Sequence, residues 1–286
     1  MSLWQVVILA VVQGLAELLP VSSSAHVVVA EKLLGLNPSS PPMTLLLVML
    51  HTGTMFAVIV YFWSQWRDTY FQSVAAFKKF AVLVVLATVL TGLFGGAIIK
   101  IIEKTAFRGV PHGEIENLFS HLELIAPALA VAGILILIAG ISDRRSPAVK
   151  TNDLNSKQAG IIGTVQGLCL PFRGFSRSGA TISAGMLAGV AKSRAETFSF
   201  ALAVVLTPLV VAREVMRLVR AEHITGTASL ASAAFPSLIG AALAFLAGLL
   251  ALKWLSRWLE HGRWHFFGIY CLAAAAVVGY LHHLGY

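Results

Sequence analysis

The chain has 286 residues, 57% of them hydrophobic and only 12% charged, with a formal net charge of +8. A soluble globular domain carries about twice that charged fraction, so a water-soluble fold is excluded. The two cysteines, Cys169 and Cys271, sit in apolar settings and read as buried small hydrophobes, which excludes a disulfide framework.

The first residues carry no basic n-region, and Gln13 and Glu17 interrupt the apolar run, so the N-terminus is expected to be retained rather than cleaved as a signal peptide. Stretches 3–19 and 25–36 are too short or too broken to cross a bilayer. They bracket a polar knot, Glu17-Leu-Leu-Pro-Val-Ser-Ser-Ser-Ala-His26. Three apolar runs follow, near 43–63, 80–102 and 122–141, each close to the ~20 residues that a membrane-spanning helix needs. A polar linker, 142–157, leads to stretches 158–170 and 180–191, which bracket a second knot, Pro171-Phe-Arg-Gly-Phe-Ser-Arg-Ser-Gly-Ala-Thr181. Three more apolar runs close the chain, near 197–216, 235–256 and 265–283. Irregular backbone at membrane depth is tolerated only inside protein or beside water, so each knot with its flanks reads as a re-entrant helix–loop–helix. The expected fold is an all-α polytopic membrane protein forming one domain, 1–286, with about six transmembrane helices and two re-entrant pairs.

The two halves echo each other. Val12-Gln13-Gly14-Leu15 recurs as Val165-Gln166-Gly167-Leu168, and ten residues after each Gln stands a Ser, Ser23 or Ser176. Each knot is followed by three spans, and an odd number turns the second half upside down. The expectation is an inverted-topology repeat, approximately 1–141 and 158–286, whose polar elements meet near the midplane.

Loop charge sets the expected orientation. Arg67, Lys78, Lys79, Arg144, Arg145, Lys150, Lys253, Arg257 and Arg263 flank spans. If the re-entrant pairs return to their own side, one face receives the loops near 64–79, 142–157, 192–195 and 257–263, which hold most of the Lys and Arg, and the other receives Lys100, Lys104, Arg108, Arg213, Arg217 and Arg220 with several Glu residues. The positive-inside rule puts the first face in the cytoplasm and both termini outside. Basic residues that flank spans in this way meet anionic lipid. No basic stripe is interleaved with aromatics, so nucleic acid is discounted.

Ionisable groups at membrane depth are costly and therefore functional candidates. Gln13 and Glu17 stand four apart and share a helix face. Glu17 is read as a ligand for a divalent cation or an orienter of a base, against a purely structural pairing with Arg177. Gln13 offers its carbonyl oxygen to the same cation, or a packing hydrogen bond. His26 titrates near neutrality and suits general acid–base work. Ser23 is the best nucleophile candidate; its other readings are a phosphate contact or a helix cap. Arg177 presents a fork of donors matched to phosphate oxygens. Ser22, Ser24, Ser176, Ser178 and Thr181 are read as positioning hydroxyls. Gly174 and Gly179 permit close backbone approach, and Arg173 is placed at the mouth, where it attracts anions or touches a lipid headgroup. Together these groups suit an anionic phosphorylated substrate with a lipid tail, because phosphoryl transfer depends mostly on positioning and electrostatic stabilisation.

Several signatures are absent: the G-x-x-x-x-G-K-[ST] loop, the H-E-x-x-H pair and the G-x-S-x-G elbow. The other large class of membrane lipid phosphatases needs a His followed by an Asp after its Ser-Arg, and Thr181-Ile-Ser-Ala-Gly occupies that stretch here.

Gln13-Gly-Leu-Ala-Glu17-Leu-Leu-Pro-Val-Ser-Ser-Ser-Ala-His26 resembles the first signature of the bacterial undecaprenyl-diphosphatase family of the bacitracin-resistance type. Gly174-Phe-Ser-Arg-Ser-Gly-Ala-Thr181 resembles the second, and His51-Thr-Gly-Thr54 a short motif in the first span. The resemblance covers nearly the whole chain. It implies hydrolysis of undecaprenyl pyrophosphate to undecaprenyl phosphate and inorganic phosphate, recycling the carrier lipid for peptidoglycan in the bacterial inner membrane. It also implies bacitracin resistance, a divalent cation (Mg2+ or Ca2+) and a site that opens outward. Carried over residue by residue, Glu17, Ser23, His26 and Arg177 are catalytic, with Gln13, Ser22, Ser24, Ser176 and Ser178 supporting. Two positions depart from the family pattern: Arg173 stands where a Pro is usual, with Pro171 two residues earlier, and Gln13 is the uncharged variant at its position.

The expected partners are the lipid substrate and membrane lipids; a homodimer is left open. Two routes are also left open, attack by Ser23 on the terminal phosphorus or attack by water that His26 activates. The competing reading is a transporter or flippase for a phosphorylated lipid or small anion, since inverted repeats with broken helices are common in transporters.

Overall fold

The structure is a computed structural model that describes residues 2–37, 40–106, 121–145, 151, 153–225 and 228–285. Arg108 and Lys150, counted above in the charge asymmetry, lie outside the described residues, as do the side chains of Arg145, Arg213, Arg217 and Arg220.

Ten helices account for the described chain: α1 Leu3–Leu18, α2 Ser23–Leu33, α3 Pro41–Tyr70, α4 Val74–Ala106, α5 Leu122–Arg145, α6 Ser156–Cys169, α7 Arg177–Leu187, α8 Lys192–Thr225, α9 Ala228–Glu260 and α10 His265–His283. No β-strand occurs among the described residues; Thr151 and Val190 form a single isolated bridge. Local chemistry marks several starts. Asn155 Oδ1 accepts from Gln158 N at 2.9 Å and Gln158 Oε1 accepts from Asn155 N at 3.1 Å, a capping box that opens α6. Pro41 and Pro42 open α3, where a proline's missing N–H costs nothing.

Five helices, α3, α4, α5, α9 and α10, are long and apolar enough to cross a membrane. Their outer faces have no protein partner. On α4, Val82, Val85, Val89 and Leu93 are 62%, 60%, 52% and 62% exposed, and their spacing places them on one stripe. Ile134 and Ile138 of α5, Leu246 and Leu250 of α9 and Val277 of α10 repeat the pattern. Apolar surface this extensive belongs against lipid, not water. The sixth expected span, 197–216, lies inside α8. That helix is 34 residues long and contains Pro208; several of its side chains between 210 and 225 lie outside the described residues, so the five spans counted here leave it aside.

The two broken pairs are α1–α2 and α6–α7, each joined by a short turn. Neither is long enough to cross as one rod. Helix α1 packs on α9, and α6 packs on α4, through glycines at corresponding points of the Val-Gln-Gly-Leu echo. A Cβ on Gly14 would lie 2.6 Å from Ala247 Cβ and 2.8 Å from Ala244 O; one on Gly167 would lie 2.8 Å from Thr91 O. Small residues let membrane helices approach backbone to backbone, which replaces the hydrophobic drive that lipid cannot provide. Helix α7 is the innermost element. It packs against α5, α6 and α8, and every residue from Ser178 to Met186 is buried.

Candidate active site

The turn after α1 faces the turn before α7, and the polar groups of both knots meet there. Glu17 lies in the last turn of α1 and is the hub. Gln13 Nε2, one helical turn earlier, donates to Glu17 Oε2 at 3.1 Å. Ser23 Oγ, at the start of α2, donates to the same oxygen at 2.5 Å. Arg177 Nη2, the first residue of α7, donates to Glu17 Oε1 at 3.2 Å. His51 of α3 brings its Nε2 to 3.8 Å from Oε2.

Arg177 is not saturated by this pair. Its Nη1 is buried and bonds to no acceptor among the described residues. A guanidinium nitrogen in that state is a costly donor unless an acceptor reaches it, and it is suited to an anionic oxygen.

His26 lies on α2, one turn after Ser22. Its Nδ1 donates to Ser22 O at 2.8 Å, so in the neutral ring Nε2 carries the lone pair. That lone pair accepts from Tyr270 Oη at 2.7 Å, and the two rings stack 5.6 Å apart, 12° from parallel. Ser22 is the non-glycine residue with positive φ, +68°, among the described residues. A serine held there stores about 1–3 kcal/mol of backbone strain. The strained turn presents the Ser22 carbonyl to His26.

The remaining hydroxyls hold the two knots together. Ser24 Oγ accepts from Gly174 N at 3.3 Å and lies 3.3 Å from Ser22 Oγ. Ser178 Oγ donates to Leu19 O at 3.3 Å. Ser176 Oγ accepts from Gly179 N at 3.2 Å and caps α7. Thr181 Oγ1 donates to Arg177 O at 2.7 Å and lies 2.6 Å from Ser199 Oγ. Gly174, at φ +102°, lies so close to α5 that a Cβ would sit 2.5 Å from Ile125 O. A Cβ on Gly179 would meet Ile136 Cδ1 at 2.6 Å and Pro20 Cβ at 3.2 Å. Arg173 is half-buried in the same loop.

All the residues singled out from the sequence therefore lie in or beside these two turns. Three residues in or near the site were not assigned a role there. His51 was noted only as part of a short motif. Tyr270 looks like any aromatic in a span, and nothing in its neighbourhood marks it. Glu31 ends an apolar run, yet it is fully buried; a carboxylate in such a run is the signal that identifies it.

For a divalent cation, the described residues hold no cluster of three or more His, Cys, Asp or Glu. The donors near Glu17 are one carboxylate, the Gln13 amide and serine hydroxyls. That set fits Mg2+ or Ca2+ only when phosphate oxygens complete the shell, a common arrangement for Mg2+.

Residues 6–277 match the family described as "Bacitracin resistance protein BacA". The chain is 58% identical over 281 residues to undecaprenyl-diphosphatase 2 of Acinetobacter baylyi, covering 97% of each chain. It is 34% identical over 281 residues to undecaprenyl-diphosphatase 2 of Burkholderia thailandensis, covering 96% of this chain and 95% of that protein. It is 33% identical over 285 residues to undecaprenyl-diphosphatase 2 of Burkholderia orbicola, with the same coverage.

Proposed function

Because this chain belongs to the bacitracin resistance protein BacA family, we infer that it hydrolyses undecaprenyl pyrophosphate to undecaprenyl phosphate and inorganic phosphate. It is a multi-pass protein of the bacterial inner membrane. Its reaction returns the carrier lipid to peptidoglycan synthesis, and bacitracin resistance is the trait associated with that activity.

The observation that carries the site assignment is the state of Arg177: one nitrogen on Glu17 and a buried Nη1 with no acceptor. A pyrophosphate oxygen supplies that acceptor and displaces no existing bond. Ser22, Ser24, Ser176, Ser178, Thr181, Gly174 and Gly179 shape the surrounding turns, and the apolar faces beside them take the lipid tail. The clustering of basic residues in the opposite loops supports an opening on the extracytoplasmic side.

The hydrogen bond from Ser23 to Glu17 favours Ser23 as nucleophile. Ser23 Oγ attacks the terminal phosphorus while Glu17 Oε2 takes its proton. The bond from that phosphorus to the bridging oxygen breaks, and undecaprenyl phosphate leaves with the electron pair. Water then attacks the phosphoserine and gives a proton to His26. Inorganic phosphate leaves, Ser23 regains the proton from Glu17, and His26 passes its proton to bulk water, which restores the starting state. His26 acts in this second step because its Nε2 can exchange Tyr270 for water, whereas Ser23 is already bonded to the carboxylate. Glu17 and the Gln13 carbonyl are the protein groups that would hold Mg2+ or Ca2+ against the pyrophosphate, and the ion would supply charge neutralisation there. The sequence echo and the matched packing of Gly14 and Gly167 support an inverted repeat with the site at its centre.

The test is phosphate release from a long-chain polyprenyl pyrophosphate by detergent-purified protein, with and without EDTA, beside Glu17→Ala and Arg177→Ala. Release that EDTA suppresses and both substitutions abolish is the expected result. No release with any divalent cation, from folded protein, would move the assignment to a transporter of phosphorylated lipid or small anion.

A further inference from the structure

Away from the hub, a cavity of about 430 Å³ opens between the start of α4 and the segment that enters α6. Lys78, Lys79 and Val82 line it on the α4 side; Asp153, Leu154 and Ser156 line it on the other. Lys79 Nζ donates to Asp153 Oδ1 at 2.6 Å, so that charge is already compensated. Lys78 forms no hydrogen bond or ion pair among the described residues, and neither does the Ser156 hydroxyl. The cavity therefore keeps one cation and one hydroxyl donor in reserve, beside the apolar walls of Val82 and Leu154.

Its place on the fold says what reaches it. Lys78 stands four residues before Val82, and Val82, Val85, Val89 and Leu93 form the exposed stripe of α4. Intervals of four, three, four and four keep all five residues on one helix face. The lipid-facing stripe thus ends on a lysine at the mouth of the cavity. Trp63 is exposed near the adjoining end of α3, with its ring 6.2 Å from that of Phe71, and an exposed Trp at a span end marks the headgroup level.

We propose that this cavity binds one anionic phospholipid from the leaflet on the side of the α3–α4 turn, with the phosphodiester between Lys78 and Ser156 and an acyl chain along Val82, Val85 and Val89. Basic pockets between membrane helices take anionic headgroups. A zwitterionic headgroup brings its own cation, which Lys78 repels, and a free phosphate gains nothing from the stripe. An anionic lipid satisfies both halves of the site. It is separate from the Glu17–Arg177 pocket and does not depend on what that pocket hydrolyses.

The experiment uses the delipidated full-length protein in a non-ionic detergent and follows lipid binding by native mass spectrometry. The probes are dioleoyl phosphatidylglycerol, dioleoyl phosphatidylcholine and glycerol phosphate, which lacks acyl chains. The parent is expected to bind one phosphatidylglycerol at least about tenfold more tightly than either of the others. Lys78→Gln should weaken phosphatidylglycerol about fivefold, the effect of one interfacial basic charge, and leave phosphatidylcholine unchanged. Asp153→Asn removes the opposing carboxylate and releases Lys79, so it should tighten phosphatidylglycerol severalfold. Lys253→Gln removes an exposed lysine outside the cavity and should change nothing by more than about twofold. Equal affinity for the two lipids would overturn the proposal. So would glycerol phosphate binding as tightly as phosphatidylglycerol, or a loss in Lys253→Gln as large as that in Lys78→Gln, which would make the effect one of net charge alone.

Discussion

Glu17 and Arg177 are separated by 160 residues in the chain and by 3.2 Å in the structure. Each is mostly buried, so each depends on the other for compensation. Removing one partner of a buried pair costs about 3–5 kcal/mol, because the remaining charge is stranded. Glu17→Ala and Arg177→Ala should therefore each lower the unfolding temperature more than the Glu17→Gln/Arg177→Gln double does. All three should be inactive in phosphate release. A double variant less stable than both singles would mean that the pair contributes nothing to the fold.

Ser23→Ala removes the proposed nucleophile and should lower kcat by about 100-fold or more, the scale on which a positioned catalytic group contributes. The covalent route also predicts retention of configuration at a chiral terminal phosphorus and a trappable phosphoserine at position 23. Inversion in a single step would eliminate that route and transfer the attack to water activated by His26.

Tyr270→Phe keeps the ring stacked on His26 and deletes one hydrogen bond. A net hydrogen bond contributes about 1 kcal/mol, and the proposed second step exchanges this bond for water, so kcat should be unchanged or rise by up to about fivefold, with little change in unfolding temperature. His26→Ala should cost far more than Tyr270→Phe. Equal losses from the two would mean that the tyrosine takes part in proton transfer itself.

The glycine contacts predict a sharp contrast. Gly14→Val and Gly167→Val push a side chain into backbone already in contact, and overpacking of this kind costs about 1–3 kcal/mol. Both should show lowered unfolding temperatures in detergent. Gly92→Ala, with nothing within 4 Å of the added Cβ, should be neutral or slightly stabilising.

The two broken pairs were legible in the sequence because polar residues are expensive at membrane depth, so a knot such as Val21-Ser22-Ser23-Ser24 cannot be part of a crossing helix. Gln13 and Glu17 were legible as a unit from their spacing alone. The structural alternative for Glu17, pairing with Arg177, is also present, and the same carboxylate holds Ser23 as well. Tyr270 and Glu31 were not legible, each for its own reason. Tyr270 acts through one hydroxyl at the end of a ring that otherwise packs like any apolar residue. Glu31 closes the apolar run of α2, and no local pattern encodes the packing that buries it completely. The span expected at 197–216 falls within α8, several of whose side chains lie outside the described residues. Helix α8 buries Glu196, Thr197 and Ser199 near its start, and that polarity serves its neighbours rather than lipid.

The Glu17–Arg177 contact also sets an order of events during synthesis. The ribosome delivers the carboxylate first, and its cation arrives only after 160 more residues have been made and most of the intervening helices inserted. Throughout that interval the nascent chain holds only one half of the proposed phosphate site. On the proposed assignment of Arg177, a chain truncated anywhere before residue 177 would be chemically silent, and competence would arrive late in synthesis.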